Sequence, residues 1–223
     1  MQFRHEMKHE ISQADMLALR ARLSVVCQRD RHAINGKYFI RSLYFDTPGD
    51  TALREKLNGV CNREKFRIRY YNFDTSVIHL EKKVKRATLG YKLSCHLNAD
   101  EAQRIVNGDM EWAKDDEREL LRELYNRWRT QGLAPKTVVD YTREPFVFKA
   151  GNVRVTLDYN MKTGLSATEF LNPELLTIPV NGNPIILEVK WDDFLPSIIK
   201  DAIRLENCRT GAYSKYASCR AFD

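Results

Sequence analysis

The segment that decides the fold is REKFRIRYYNF, residues 63–73, in which basic and apolar side chains alternate along the chain. A period of two places successive side chains on opposite faces of a β-strand. One face carries basic and tyrosyl side chains, namely Lys65, Arg67, Arg69 and Tyr71. The other face is mostly apolar, so the pattern predicts a strand that packs on a core with one face and presents cations on the other.

The same alternation continues beyond residues 74–76, which are typical of a tight connection. In residues 77–85 the charged or polar positions again share one parity, namely His79, Glu81, Lys83 and Lys85. Residues 89–97 predict a third strand. Together the three segments are expected to form an antiparallel meander.

The rest of the chain is predicted to extend this antiparallel arrangement. Further strands are expected at residues 3–11, 37–46, 136–148, 153–159 and 185–190. Helices are expected after the N-cap Ser12 and at residues 51–57, 99–131 and 194–205, whereas residues 161–183 are expected to be irregular.

Composition limits the class of protein. The chain has 223 residues, of which 43% are hydrophobic, and sparse Gly and Pro; we therefore expect one domain over residues 1–223. It contains no apolar run long enough for a membrane span and no signal-like N-terminus, so a cytoplasmic location is expected. The formal net charge of +6 favours an anionic partner. Five cysteines without a CxxC pair indicate reduced thiols and no structural zinc site.

Six predicted strands place ionisable side chains on one parity, and two arrangements would account for this. In an ordinary antiparallel sheet the charged parity faces water. In a sheet that curls into a closed barrel, the charged parity could instead line the interior and hold a polyanion. The second arrangement is favoured because the charged parity also carries Tyr71 and Tyr141, which are usually kept from bare solvent.

Isolated carboxylates accompany the basic residues on this parity, namely Glu6, Glu81, Asp158 and Glu188. Oxygen ligands without Cys or His clusters favour magnesium or manganese over zinc. The sequence therefore allows a divalent cation beside a bound polyanion.

The order of eight short motifs along the chain resembles a known family. They are RHEMK at residues 4–8, SLYFDT at 42–47, KFRIRYY at 65–71, LEKKVK at 80–85, YTREPF at 141–146, VRVTLD at 153–158, ILEVKW at 186–191 and SKY at 214–216. This order resembles the VTC domain, the polyphosphate polymerase domain of the vacuolar transporter chaperone complex and its bacterial relatives, which belongs with the CYTH proteins to the triphosphate tunnel metalloenzymes. The resemblance extends from Arg4 to about Arg220, and Arg4 replaces the first Glu of the CYTH motif ExExK, which favours the VTC branch.

The resemblance implies an α+β fold with a closed antiparallel β-barrel, a tunnel of about eight strands with flanking helices. It implies phosphate binding by basic residues inside the tunnel and by a tyrosine, here Lys8, Arg67, Arg69, Lys83, Tyr141, Arg143, Arg154 and Lys215. Glu188 would bind Mn²⁺ or Mg²⁺, and the catalytic group would be Arg67, Arg69, Lys83 and Glu188. Strand parity adds Glu6, Lys65, Lys85 and Lys190 as further candidates.

The function implied by the resemblance is transfer of the ATP γ-phosphate to polyphosphate. A triphosphatase on the same scaffold and a non-catalytic polyphosphate sensor are the alternatives. Nucleic acid is disfavoured as a partner because its binding would want the basic residues on an outer face with stacking aromatics. A separate membrane partner protein remains open.

Some assignments depend on register or on one motif. Lys82 competes with Lys83, because a shift of one residue exchanges the two faces of a strand. Only the SKY motif raises Lys215 above an ordinary C-terminal lysine. Asp46 and Asp158 are expected to satisfy basic neighbours, and the loop at residues 29–32 is expected to be solvated or to dock polyphosphate outside the tunnel.

Overall fold

The computed structural model describes residues 3–87, 89–205, 211 and 213–221. Its strands are β1 (His5–Ile11), β2 (Gln28–Arg29), β3 (Tyr38–Asp46), β4 (Arg63–Tyr71), β5 (Asp74–Arg86), β6 (Leu89–Leu97), β7 (Ala134–Phe148), β8 (Val153–Thr163), β9 (Ile178–Pro179) and β10 (Ile185–Trp191). They form one antiparallel sheet in the order β1-β10-β8-β7-β3-β4-β5-β6, with β2 paired to β7 and β9 to β8. The predicted meander is confirmed as β4-β5-β6.

The helices are α1 (Gln13–Val26), α2 (Thr51–Leu57), α3 (Ala99–Val106), α4 (Glu119–Gln131), α5 (Ser197–Ala202) and α6 (Lys215–Cys219). Ser12 caps α1 as predicted, and its hydroxyl accepts from the backbone N–H of Asp15 while the Asp15 carboxylate accepts from Ser12. This reciprocal capping box fixes the turn from β1 into α1.

The sheet is curled, but the prediction of a closed barrel is wrong in one respect. The edge strands β1 and β6 are joined by a single residue pair, in which the Arg4 and Gly90 backbones exchange hydrogen bonds of 3.1 and 3.4 Å. In an antiparallel ladder, residues after Arg4 would pair with residues before Gly90. Because β6 begins at Leu89 and β5 ends at Arg86, the ladder soon runs past the start of β6. Beyond this pair the described residues leave the seam open.

The convex face of the sheet carries the apolar parity of the strands and is covered by helices. Helices α3 and α4 pack over one half of this face, on residues such as Leu43, Ile68 and Leu80. Helices α1 and α5 pack over the other half, on residues such as Val155 and Leu187. Burial of this face provides the main core, because apolar area removed from water is the dominant favourable contribution to folding.

Two expectations for the C-terminal half need correction, and one helix there was not predicted. Residues 161–163 are not irregular but continue β8, and residues 178–179 pair with them as β9. The helix predicted at residues 194–205 is confined to α5, because Pro196 takes the N-cap position with an extended backbone. A further helix, α6, forms in the SKY motif, where the Ser214 hydroxyl accepts from the backbone N–H of Ala217.

The predicted free thiols are found at Cys27, Cys61 and Cys95, while Cys208 lies outside the described residues. The part of the chain that the structure describes includes no helix with the length and hydropathy needed to cross a membrane.

Candidate functional site

The concave face of the curled sheet carries the charged parity of the strands. We call this surface the concave site and define it by its cations and carboxylates, which are Lys8, Lys65, Arg67, Arg69, Lys83, Lys92, Arg143, Arg154, Lys190, Lys215, Glu6, Glu81, Asp158 and Glu188. All are contributed by strands of the sheet except Lys215, which comes from α6. Strand alternation places them together, because every second side chain of a curled sheet points to the same side.

One group of charges centres on Glu81, which is almost fully buried. The Arg67 guanidinium donates to Glu81 Oε2 from Nε at 2.7 Å and also donates to the Tyr44 hydroxyl at 3.0 Å. Lys92 reaches Glu81 Oε1 at 2.6 Å from β6. Burial by itself would raise the pKa of Glu81, but the nearby cations Arg67, Arg69 and Lys92 together outweigh burial and hold the pKa well below its usual range. Glu81 is therefore a carboxylate shared by two cations.

Arg69 follows Arg67 on the same face of β4 and has no carboxylate in contact. Its Nε donates to the Ser42 hydroxyl and its Nη2 to the Tyr141 hydroxyl, both at 2.8 Å. Arg69 is only 3% exposed, and its hydrogen bonds among the described residues go to neutral oxygens. A buried guanidinium without a carboxylate partner is costly, and a bound anion would stabilise it through charge-assisted hydrogen bonds.

A second group of charges centres on Glu188 in β10. Lys190 pairs with Glu188 Oε1, while Lys8 and Arg143 approach Oε2 at 3.6 and 3.8 Å. Lys8 also contacts Glu6 at 2.6 Å. Burial by itself would raise the pKa of Glu188, but Lys190 and Lys8 outweigh burial and keep it well below its usual range. Glu188 is thus ionised and surrounded by cations.

Glu6 is drawn into the same group by its neighbours. Burial by itself would raise the pKa of Glu6, but Lys8 and Lys190 outweigh it and lower the pKa to about 2. Two carboxylates, Glu6 and Glu188, are therefore held close together by bridging lysines.

Asp158 links the sheet to α6. It is fully buried and accepts two hydrogen bonds from Arg143, at 2.6 and 2.7 Å. Lys215 contacts Asp158 Oδ2, the oxygen that also accepts from Arg143 Nη2, at 2.6 Å and lies over the ring of Tyr141. The SKY motif thus brings a C-terminal lysine into the concave site, which places α6 against its inner wall.

Besides Arg69, two further cations of the concave site, Lys65 and Lys83, have no carboxylate within ion-pair distance among the described residues. The nearby Arg67 guanidinium, together with burial, lowers the pKa of Lys83 well below its ordinary value. Burial lowers the pKa of Lys65 to about 8, and its ammonium contacts only the Ser214 hydroxyl at 3.4 Å and the ring of Tyr44. The charged form of each lysine therefore lowers the stability of the folded protein, and a bound anion would offset this loss.

Arg154 lies towards the loop at residues 29–32. Its Nη2 contacts Asp30 at 3.1 Å and donates to the Tyr38 hydroxyl at 2.8 Å. Gln28 and Arg29 are not a solvated loop but pair with β7, and Arg29 stacks over the Phe146 ring at 4.1 Å. Arg31 is exposed and contacts only His32. This loop is therefore partly fixed to the sheet, and Asp30 limits its basic character.

The structure places every predicted site residue on the concave face, and all but Tyr141 and Lys85 belong to the charges that define the concave site. Lys85 lies near the end of β5, opposite Arg63 and Gly90. Lys82 points the other way and pairs with Glu64 and Glu123, so the predicted choice of Lys83 has the right register. The expectation for Asp158 holds, because its partners are basic. The expectation for Asp46 is wrong, since Asp46 accepts backbone N–H groups at the start of α2 and the Tyr216 hydroxyl. It acts as a turn and helix-end acceptor rather than a partner of basic residues.

Sequence reasoning missed several polar groups of the concave site. Lys92 has the parity of Glu81 in the meander and could have been found by aligning β6 with β5, where Lys92 lies opposite Lys83. Tyr44 and Ser42, which hold Arg67 and Arg69, lie in the SLYFDT motif and share a face with them across the β3–β4 ladder. Thr156 is flanked by Arg154 and Asp158 on the same face of β8.

The residues present fit a divalent cation only in combination with substrate. The described residues contain no group of three or more His, Cys, Asp or Glu side chains arranged to hold a metal ion. Glu6 and Glu188 supply carboxylate oxygens at one place, and Mg²⁺ in phosphoryl-transfer enzymes is commonly held by one or two carboxylates together with substrate phosphates. The donor set therefore suits Mn²⁺ or Mg²⁺ bound beside a phosphate chain.

Comparison with known proteins agrees with this architecture. The family model described as the VTC domain matches residues 3–222, and the chain therefore belongs to the VTC domain family. No curated protein sequence matches the chain significantly.

Two solved structures show a similar fold. One is a candidate adenylyl cyclase from Hippeastrum, described as having a dominant triphosphatase activity, with a TM-score of 0.57 and 14% identity over 100% of this chain and 96% of that chain. The other is a candidate adenylate cyclase from Bacillus halodurans, with a TM-score of 0.51 and 14% identity over 98% of this chain and 86% of that chain. At this identity the likeness concerns the fold alone.

Proposed function

We propose that the protein catalyses metal-dependent phosphoryl transfer on a phosphate chain bound in the concave site. The observation that carries the proposal is the imbalance of charge there: Lys83, Lys65 and Arg69 lack a carboxylate partner among the described residues. A buried surplus of cations is costly unless an anion compensates it. A triphosphate or polyphosphate, with a charge on every phosphoryl group, fits this demand better than a single small anion.

The proposed reaction is polyphosphate synthesis, in which the γ-phosphate of ATP passes to a phosphate or polyphosphate end and ADP leaves. Membership of the VTC family supports this choice. Arg67, Arg69 and Lys83 would hold successive phosphoryl groups in line, which provides positioning and charge neutralisation. The acceptor is itself a phosphate oxygen, so no protein nucleophile is required.

Glu188, with Glu6 beside it, would hold Mn²⁺ or Mg²⁺, which when bound offsets negative charge on the phosphoryl oxygens. The contacts of Glu188 with Lys190 and Arg143 must then be exchanged for contacts between these cations and the phosphate chain. Such an exchange conserves ion pairs, because each cation leaves one anion for another.

The alternative is a triphosphatase, in which water replaces the phosphate acceptor. The Hippeastrum protein of similar fold, with its dominant triphosphatase activity, supports this alternative. Both reactions use the same grip on the phosphates and differ only in the acceptor.

The deciding experiment is incubation of the purified protein with ATP and Mn²⁺, followed by separation of the phosphate products by length on a gel. We expect a ladder of long polyphosphate chains that grows with time, with release of ADP. Accumulation of inorganic phosphate without a ladder would establish the triphosphatase alternative. Absence of ATP turnover with Mn²⁺, and in a parallel incubation with Mg²⁺, would reject phosphoryl transfer.

Binding is tested separately by thermal unfolding. Tripolyphosphate at about a hundred times its Kd should add about 2.7 kcal/mol to the free energy of unfolding. Sulfate at equal ionic strength and double-stranded DNA should add far less, because neither can contact several cations inside the curled sheet. An equal response to all three anions would indicate an ordinary exposed basic surface.

A further inference from the structure

Two polar atoms on the concave face of β8 have no hydrogen-bond partner among the described residues. They are the Thr156 hydroxyl and Arg154 Nε, and both atoms are buried. Thr156 as a whole is only 2% exposed. Native proteins pair the great majority of such groups, so each unpaired one needs an explanation.

Among the described residues, the Thr156 hydroxyl makes no hydrogen bond to the groups around it. Across the β7–β8 ladder its neighbour is Pro145, which has no polar side chain. Asp158, two residues along β8, already accepts from Arg143 and contacts Lys215. A valine would fill the same volume without an unpaired hydroxyl, so folding alone does not account for threonine here.

Thr156 is the cross-strand partner of Glu188 in the β8–β10 ladder, and Arg154 is the partner of Lys190. Thr156 therefore lies beside the group in which Lys190, Lys8 and Arg143 converge on Glu188. These contacts are made by long side chains that can turn towards an entering phosphate. Their movement would open the surface of β8 between Arg154 and Asp158.

The unpaired atoms define the chemistry of what could bind there. Arg154 Nε–H can only donate, and the Thr156 hydroxyl has a proton to donate. Unpaired donors on two residues of the same face of β8 call for an acceptor, and beside a cation-rich face the matching acceptor is an anionic oxygen.

We propose that the Thr156 hydroxyl is a phosphate-binding group of the concave site and, together with Arg154 Nε, donates to a phosphoryl oxygen held beside Glu188. This inference rests on the proposed function and adds to it a neutral donor next to the carboxylate that would hold the metal.

The test compares Thr156→Val, which keeps the shape, with Thr156→Ser, which keeps the hydroxyl. Tripolyphosphate binding is measured by calorimetry in the absence of metal, and the melting temperature is measured without ligand. We expect Thr156→Val to raise the Kd for tripolyphosphate about tenfold or more, because a donor to a charged oxygen is lost. Thr156→Ser should stay within about threefold of the parent. The unliganded Thr156→Val protein should melt at the same or a higher temperature.

Thr142→Val is the matched control. Thr142 lies on the neighbouring strand β7, is half-buried and points to the convex face of the sheet, away from the concave site. It should leave the Kd unchanged. Parental affinity in Thr156→Val would overturn the inference, and if Arg67→Ala still abolished binding the proposed function would stand. A lower melting temperature of unliganded Thr156→Val would also overturn it, because the hydroxyl would then serve the fold. A parent protein that binds no tripolyphosphate would reject the proposed function and this inference together.

Discussion

The two faces of the same strands differ in how completely their buried charges are paired. On the convex face Arg41 is 2% exposed and makes two hydrogen bonds, of 2.9 and 2.8 Å, to the two oxygens of Asp140. The buried guanidinium there is matched by one carboxylate. On the concave face Arg69 is about as buried and donates its hydrogen bonds to hydroxyl groups, and among the described residues neither Arg69 nor Lys83 has a carboxylate within ion-pair distance.

This difference separates what the fold needs from what a ligand would supply. A buried charge matched by a carboxylate satisfies the structure without help from outside. An excess of cations lowers the stability of the free protein, and such local cost is typical of binding sites. The convex face should therefore respond to mutation through stability, and the concave face through binding and turnover.

The largest effect is expected on the convex face. Ile68 is fully buried under α3 and α4, and Ile68→Ala should lower the free energy of unfolding by about 2–5 kcal/mol through lost burial and a residual cavity. Ile68→Val should cost about 0.5–1.5 kcal/mol. Denaturant unfolding provides the measurement. The Kd for tripolyphosphate of the folded protein should not change, and a parallel loss of affinity would break the distinction between the two faces.

Arg67→Ala tests the concave face. We expect kcat/KM to fall by an amount equivalent to about 2–4 kcal/mol, because a guanidinium aimed at the phosphate chain is lost. Arg67→Lys should recover only part of this, since the fork of donors is missing. Arg67→Ala also breaks the ion pair with Glu81, which lowers the stability of the free protein. Part of this loss is offset, because the variant no longer has the repulsion from Arg67 that is the largest cause of the lowered pKa of Lys83.

The control for Arg67 is Arg31→Ala, because Arg31 is exposed and contacts only His32. Arg29 is less suitable, since it also packs on Phe146 and pairs with Glu144. Equal losses of kcat/KM at Arg31 and Arg67 would mean a general electrostatic effect and would remove the special role of the concave face.

Glu188→Gln separates turnover from binding within the concave face. Turnover should fall by at least about a hundredfold, while tripolyphosphate still binds because the surrounding cations remain. Titration with Mn²⁺, followed by electron paramagnetic resonance of the free ion, should show weaker metal binding in the variant. Turnover near the parental rate would exclude Glu188 as the metal ligand.

The strands and their faces could be predicted because parity is a local property of the sequence. The choice of Lys83 over Lys82 needed only the correct period, and the structure has Lys82 on the convex side with Glu64. The position of Lys215 was accessible only through the SKY motif, because its partner Asp158 is far away in the sequence.

Other features depend on long-range geometry that no local pattern contains. The open seam beside Arg4 follows from where β6 begins relative to β1, which is a matter of register between the two ends of the sheet. The role of Asp46 depends on α2 and on Tyr216 meeting at one end of β3. The unpaired hydroxyl of Thr156 becomes visible only when its neighbours Pro145 and Glu188 are known.

The smallest effect concerns how much one cation of the concave site, Lys65, lowers the free energy of unfolding of the free protein. Burial, aided by repulsion from Lys8 and Arg67, lowers the pKa of Lys65 from its ordinary value of 10.5 to about 8. The folded state therefore binds the Lys65 proton less tightly than the unfolded state. The resulting loss of stability is fully present below about pH 8 and disappears as the pH rises through the unfolded value of 10.5.

Lys65→Met should accordingly stabilise the free protein at pH 7 by about 1 kcal/mol, a value reduced for solvent screening at a half-buried position. The advantage should shrink between pH 8 and 10.5 as the parent loses its proton. Denaturant unfolding of both proteins across this range is the measurement, and the difference between them cancels the titration of groups that do not interact with Lys65. Nearby cations, Arg67 first and Lys65 next, lower the pKa of Tyr44 to about 8, so the pair is also compared in a Tyr44→Phe background. Lys162→Met, at an exposed position of β8, is the control and should show no such change.

The same Lys65→Met variant should bind tripolyphosphate more weakly than the parent at pH 7, because the cation that lowers the stability of the free protein is the one that would contact the anion. A variant that is less stable at pH 7, or a difference that does not vary with pH, would show that Lys65 carries no such cost.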